Sequence, residues 1–180
     1  APLDSGAVMQ RLHARSNASH LFALHRGEHC FMGATPERLL SCQEGRLTTH
    51  ALAGSARRGM TANEDHAIGE RLLADPKEQH EHRLVVQTIT QALDGKVSDL
   101  QAASSPHLLK LANVQHLSTP IMAQLNSDKR LLDGIHALHP TPAVGGLPTA
   151  TAMDFIRRHE GFDRGWYAAP VGWLDSQGNG

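Results

Sequence analysis

The chain has no excess of charge of either sign. Its 17 Lys and Arg against 18 Asp and Glu leave a formal charge of −1 over 180 residues, with no block of like charge. That argues against a face built for polyanions and leaves room for a local basic patch at most. No apolar run approaches the ~20 residues that a membrane helix needs. The opening Ala1-Pro2-Leu3-Asp4 has neither the basic region nor the apolar core of a secretion signal. Cysteine is nearly missing: Cys30 and Cys42 show no metal spacing and no disulfide framework, and read as free thiols in a reducing cytosol. The 13 histidines are scattered, and none forms His-Glu-x-x-His or a zinc-type Cys/His cluster. Even His80-Glu81-His82, the densest spot, sets its imidazoles at i and i+2, pointing apart on a helix.

What remains is the makeup of one soluble globular domain, 40% hydrophobic and 19% charged. Apolar Val8, Met9 and Leu12 predict a short helix over 3–16. Leu21–Leu24 and Cys30–Met32, separated by His25 to His29, predict a hairpin; Arg38–Cys42 and Arg46–Leu52, joined by Gln43-Glu44-Gly45, predict a second. A basic loop over 57–63 leads to a helix over 64–74. The next helix opens with Asp75 as N-cap, Pro76 in the first helical position and Glu78 three after the cap. Val85, Ile89 and Leu93 form its apolar stripe and Gly95 ends it. Residues 105–117 read as extended, with Pro106 and Pro120 as punctuation. A helix over 131–138, a stiff loop from His139 to Pro148, a helix over 149–159 and a strand over 166–173 complete the pass.

Several residues could carry chemistry. Glu81 lies four before Val85 and so is expected on the core-facing stripe, where a carboxylate needs compensation. An arginine ion pair or a hard divalent ion such as Mg²⁺ would supply it. Glu78 is either the capping-box partner of Asp75 or a second carboxylate. Glu37, after Pro36 where loop meets strand, is either a positioned acid or an ordinary turn residue. Gly54-Ser55, followed by Arg57 and Arg58, is either an anion pocket of backbone amides and hydroxyl or a strand-end turn. The loop from Pro140 to Gly146, with small Ala143, either borders a ligand or is a packing turn.

These blocks together resemble the chorismate-utilising enzymes and, within them, the isochorismate synthases, with a leaning to the siderophore type. Gly33-Ala34-Thr35-Pro36-Glu37-Arg38-Leu39 is similar to that family's Gly-Ala-Ser-Pro-Glu-x-Leu. Leu52-Ala53-Gly54-Ser55-Ala56-Arg57-Arg58, Lys77-Glu78-Gln79-His80-Glu81-His82, the run from Leu138 to Gly146, and Phe162-Asp163-Arg164-Gly165-Trp166-Tyr167 follow in the family's order. Arg83-Leu84-Val85-Val86 and Pro142-Ala143-Val144-Gly145-Gly146 stand where ammonia-adding relatives carry other motifs, which favours the water-adding branch.

The resemblance implies an α+β fold, layered antiparallel sheets with outer helices, and a cytoplasmic isomerase that turns chorismate into isochorismate for siderophore or menaquinone synthesis. It implies Glu37 as general acid at the C4 hydroxyl, Glu81 as ligand of Mg²⁺, and Gly54, Ser55 and Ala143 as substrate contacts, with His116 and His139 nearby. Chorismate is the expected partner, with no nucleic acid and no membrane. Salicylate synthase, which goes on to eliminate pyruvate, is the neighbouring alternative; a non-catalytic fragment is the other. Trp173 to Gly180 reads as a strand entering a Gly/Asn turn. Residues 1–180 are therefore expected to be the central part of one chorismate-binding catalytic domain, cut at both ends and inactive alone. The family's base lysine, second metal glutamate and substrate arginine are then expected in the missing N- and C-terminal segments, since neither Lys77 nor Lys110 matches the base motif.

Overall fold

The computed structural model describes residues 3–15 and 19–180, in two compact units, Ala1–Arg38 with Arg164–Val171 and Leu39–Asp163 with Gly172–Gly180. In the first unit, helix α1 (Ser5–Arg15) starts where the Asp4 carboxylate accepts from Gly6 N at 2.9 Å and Ala7 N at 3.2 Å. That satisfies amides the helix leaves open. The predicted end at Ser16 lies outside the described residues. Strands β1 (His20–Arg26) and β2 (His29–Thr35) pair antiparallel from His20↔Thr35 to Arg26↔His29, the hairpin expected from the sequence, with longer arms. Phe31 holds it together, its ring centroid 5.6 Å from Phe22 and 6.3 Å from Trp166.

The second unit is an antiparallel sheet with helices packed on it, an α+β arrangement. Its strands are β3 (Ser41–Gln43), β4 (Arg46–Arg57), β5 (Val97–Ala102), β6 (His107–Lys110) and β7 (Val114–Leu125). The order is β3-β4-β7-β5, with β6 also on β7. The β3–β4 turn is Glu44-Gly45, both at positive φ (51° and 76°), the twist that a two-residue hairpin loop requires. Leu47, Thr49 and Ala51 alternate along β4 with their side chains buried. Against them packs α3 (Pro76–Leu93), whose Ile89 and Leu93 join Leu47, Ala51, Ile121 and Leu138 in the core. Leu138 comes from α4 (Leu131–Leu138), which spans the predicted residues. Helix α2 (Ala62–Ala74) precedes α3, and α5 (Pro142–Gly145) and α6 (Thr149–His159) follow α4. The stiff loop thus contains one helical turn.

Two expectations are corrected, and one strand was missed. Residues 166–173 form no strand: Tyr167 N–H bonds to Arg164 O at 2.8 Å and Ala169 N–H to Trp166 O at 3.1 Å, closing successive turns, and Pro170 removes a ladder donor. The Gly/Asn turn after Trp173 does form, closed by Asp175 N–H to Asn179 O at 2.9 Å. Pro120 does not punctuate; it sits inside β7 opposite His50. Strand β5 escaped the sequence reading because its pairing breaks between Ser98 and Gln101, with Asp99 at φ 50°, which destroys the two-residue period. Both cysteines are free thiols, as expected.

One buried ionic knot fastens α2 to the sheet. The Asp65 carboxylate, 7% exposed as a residue, accepts from Arg58 at 2.7 and 3.0 Å, Lys110 Nζ at 2.8 Å and Gly59 N at 3.0 Å. Arg58 reaches on to the Leu111 carbonyl. These donors hold the Asp65 carboxyl well below the usual carboxylate range, Arg58 most strongly.

Two outcomes follow. Leu93→Ala, which empties a fully buried position, should cost about 2–5 kcal/mol in chemical denaturation. The Asp65 carboxyl ionises more readily folded than unfolded. Its stabilisation is therefore complete above about pH 4 and fades as the pH drops further. Asp65→Asn should then flatten the loss of thermal stability between about pH 5 and pH 2; equal acid sensitivity in both proteins would contradict this assignment.

Candidate active site

The start of α3 is fixed by its own sequence. Asp75 caps it, accepting from Lys77 N at 2.8 Å and Glu78 N at 3.1 Å, and Pro76 supplies a first residue that needs no donor. Of the two readings of Glu78, capping-box partner or second carboxylate, the geometry favours the second. Its carboxylate lies against β4: a Cβ built on Gly54 would stand 3.1 Å from Glu78 Oε2.

Glu81 corrects an expectation. It does not face the core; its side chain is 50% exposed and pairs with Lys77 Nζ at 2.9 Å, a lysine where arginine or metal was anticipated. The inward position is His82, 2% exposed. At 3.6 residues per turn the stripe through Val86, Ile89 and Leu93 runs back to 82, and 81 sits about 100° away. The His82 ring bridges two strands, with Nδ1 3.1 Å from the Ala53 carbonyl of β4 and Nε2 2.7 Å from Thr119 Oγ1 of β7. A carbonyl can only accept, so Nδ1 carries the hydrogen. Burial pushes the imidazole below its ordinary pKa, leaving Nε2 to accept from the Thr119 hydroxyl.

Opposite α3, the β4–β7 register shifts between Ala53 and Ser55, with Gly54 in the bulge at φ 79°. That conformation suits glycine, and Leu117 Cδ1 crowds the same side at 3.1 Å from a built Cβ. Past the bulge, Ser55 Oγ lies 2.7 Å from His116 Nδ1. A groove of about 250 Å³ opens here, lined by Ser55, Ala56, Ile68, Arg71, Leu72, Asp75 and Glu78.

The two arginines that follow Gly54-Ser55 are engaged elsewhere. Arg57 is paired with Glu64 and Arg58 with Asp65. The groove's cation is Arg71, which the sequence reading missed; its place beside Ile68 and Leu72, at i+3 and i+4 on α2, was the available signal. Ala143 is exposed on α5 and is not among the lining residues. His139 ends α4, its pKa lowered by partial burial. Glu37 stands in the other unit, exposed after Pro36, its N–H donating to Thr35 Oγ1 at 3.2 Å. The structure thus brings Gly54, Ser55 and Glu78 together, with Glu81 three residues along α3.

Among the described residues no three His, Cys, Asp or Glu side chains gather as a metal set. Glu78 and Glu81 are a pair of hard oxygen donors, and both already share one cation: Lys77 Nζ is 3.3 Å from Glu78 Oε1 and 2.9 Å from Glu81 Oε1. A divalent ion that takes one or two carboxylates and completes its shell elsewhere fits that donor set.

A glycine bulge, a hydroxyl, a guanidinium with no ion-pair partner among the described residues and two neighbouring carboxylates lie close together, a set of groups suited to a small anionic ligand. The family of chorismate binding enzymes matches residues 1–180, and the chain belongs to it. It is 51% identical over 178 residues to the salicylate biosynthesis isochorismate synthase of Pseudomonas aeruginosa, covering 99% of this chain and 37% of that protein. It is 42% identical to isochorismate synthase MenF of Bacillus subtilis, over 99% of this chain and 38% of that one. The solved structure of MenF, the menaquinone-specific isochorismate synthase of Escherichia coli, superposes with a TM-score of 0.87 at 36% identity, over 99% of this chain and 42% of that chain. The chain therefore spans well under half the length of these relatives.

Gly54→Ala tests the bulge. A side chain at φ 79° should cost about 1–2 kcal/mol in chemical denaturation from backbone strain, with further loss from crowding Glu78 and Leu117. Unchanged stability would mean that the bulge relaxes freely.

Proposed function

We propose that this chain forms part of the catalytic site of an isochorismate synthase, an isomerase acting on chorismate in the cytoplasm. The observation that carries the reading is the carboxylate pair of α3: Glu78 and Glu81 share one cation, and Glu78 lies against the Gly54 bulge. Family membership supplies the substrate class.

Water adds at C2 of chorismate, the ring double bonds shift and the C4 hydroxyl leaves as water, so the atoms balance and the enolpyruvyl group stays in place. Glu37 delivers the proton to the departing C4 oxygen, a role that needs a carboxyl protonated in the bound complex. The proton of the attacking water goes to the family's base lysine, to which no residue of this chain is assigned. Gly54 offers backbone, and Ser55 a hydroxyl oriented by His116, to a substrate carboxylate, and Ala143 borders the same ligand. Glu81, with Glu78 beside it, would hold Mg²⁺, which when bound supplies counter-charge to a substrate carboxylate. The run Leu52-Ala53-Gly54-Ser55 followed by Ala56-Arg57-Arg58, which resembles the siderophore type, favours that branch over menaquinone.

The test uses the full-length protein with chorismate and Mg²⁺, products separated chromatographically, beside Glu37→Gln and Glu81→Ala. Isochorismate without pyruvate is expected, with each variant losing ~100-fold or more in kcat/KM. Salicylate plus pyruvate would move the protein to salicylate synthase and keep the residue roles. A folded protein that leaves chorismate untouched would sink the reading.

A further inference from the structure

His82 is the one titratable side chain of α3 that is buried among the described residues, and the chemistry above assigns it nothing. Its two bonds leave the helix in different directions. One reaches Thr119 on β7; the other reaches the carbonyl of Ala53, the last residue of β4 in ladder register before the shift. One turn earlier on α3, Glu78 Oε2 lies against Gly54 itself. The helix therefore meets the bulge at two successive turns, through a carboxylate at Gly54 and through an imidazole N–H at Ala53 O. A helix and strand in apolar contact can slide by fractions of an ångström; a buried hydrogen bond of fixed direction resists that.

We propose that His82 is a positioning residue: its Nδ1–H bond to the Ala53 carbonyl sets the Gly54–Ser55 bulge in register with the α3 carboxylates and so fixes the substrate-binding geometry. The Thr119 bond stabilises the ring without setting that register. This inference rests on the chorismate-site reading of Gly54 and Ser55. Displacement of a binding group by about 1 Å is enough to cost up to ~100-fold in rate or binding terms.

The two arms are separable by substitution in the full-length protein. His82→Asn keeps a donor near the Nδ1 position and loses the Thr119 arm; His82→Gln extends an amide toward the Nε2 position and loses the Ala53 arm. Thr119→Val removes the second arm with the imidazole intact. Chorismate KM should rise ~10-fold in His82→Gln and stay within about twofold of wild type in His82→Asn and Thr119→Val, although all three lower the melting temperature. Amide hydrogen exchange over residues 53–56, read without substrate, should accelerate in His82→Gln alone.

Equal KM values across the folded variants, equal rises in both His82 variants, or a rise in Thr119→Val would each overturn the proposal. If His82→Gln does not fold, His82→Ala, which loses both arms, takes its place: a raised KM with faster exchange at 53–56, against wild-type values in Thr119→Val, supports the assignment, and wild-type values in both refute it. Failure of the chorismate reading itself would show separately, as a wild-type protein without turnover. The exchange data would still report on the register.

Discussion

The long antiparallel pairing of β4 with β7, running from Arg46↔Gln124 to Arg57↔Val114, is the constraint to which the other parts of the second unit answer. Leu47, Thr49 and Ala51 turn one way at two-residue intervals, and α3 must lay Ile89 and Leu93 on that face or leave it wet. Once that packing is set, the first turn of α3 has little freedom. Its Glu78 carboxylate arrives partway along the ladder, where the register breaks at Gly54. The irregularity and the charged groups meet because one twelve-residue strand leads from the apolar core to the groove.

Charge is distributed between two tasks. Around Asp65, Arg58 and Lys110 are consumed in holding a nearly buried carboxylate, and their worth is structural. Around the groove, by contrast, Lys77 rests on two carboxylates while mostly exposed, an arrangement that solvent weakens and a competing cation can take apart. Arg71 has no carboxylate of its own among the described ion pairs. The sheet side is thus electrostatically closed, and the α2–α3 side is left available.

Much of this was legible. The Asp75-Pro76-x-Glu78 run announced where α3 begins, Glu44-Gly45 announced its turn, and α4 and α6 span the predicted residues, because each signal is local chemistry. The five motif blocks pointed to the family that the comparison found. Non-local features escaped. Pro120 falls within β7 between the stretch that pairs with β6, ending at Ser118, and the stretch that pairs with β5, starting at Ile121; β5 is masked by its own irregularity, and residues 166–173 have strand-like composition without a partner strand among the described residues. On α3 the error was one residue. Counting back by four from Val85 gives Glu81, whereas the stripe through Val86 and Ile89 gives His82. Adjacent ionisable residues leave periodicity alone with no means of choosing between them. Arg58 and Asp65, seven apart across a loop, show no pattern that sequence could reveal.

Asp75 closes α2 as its C-cap and opens α3 as its N-cap, and Gln79 on α3 donates back to Leu73 O of α2 at 2.6 Å. The two helices are consequently a single bent piece with one shared vertex. Arg71 and Leu72 lie on one limb and Glu78 on the other, so the mouth of the groove has a width set by an angle instead of by two independently docked walls. Evolution or engineering that lengthens either limb by a residue rotates the whole rim about that corner, while changes elsewhere on the helices leave its aperture as it is.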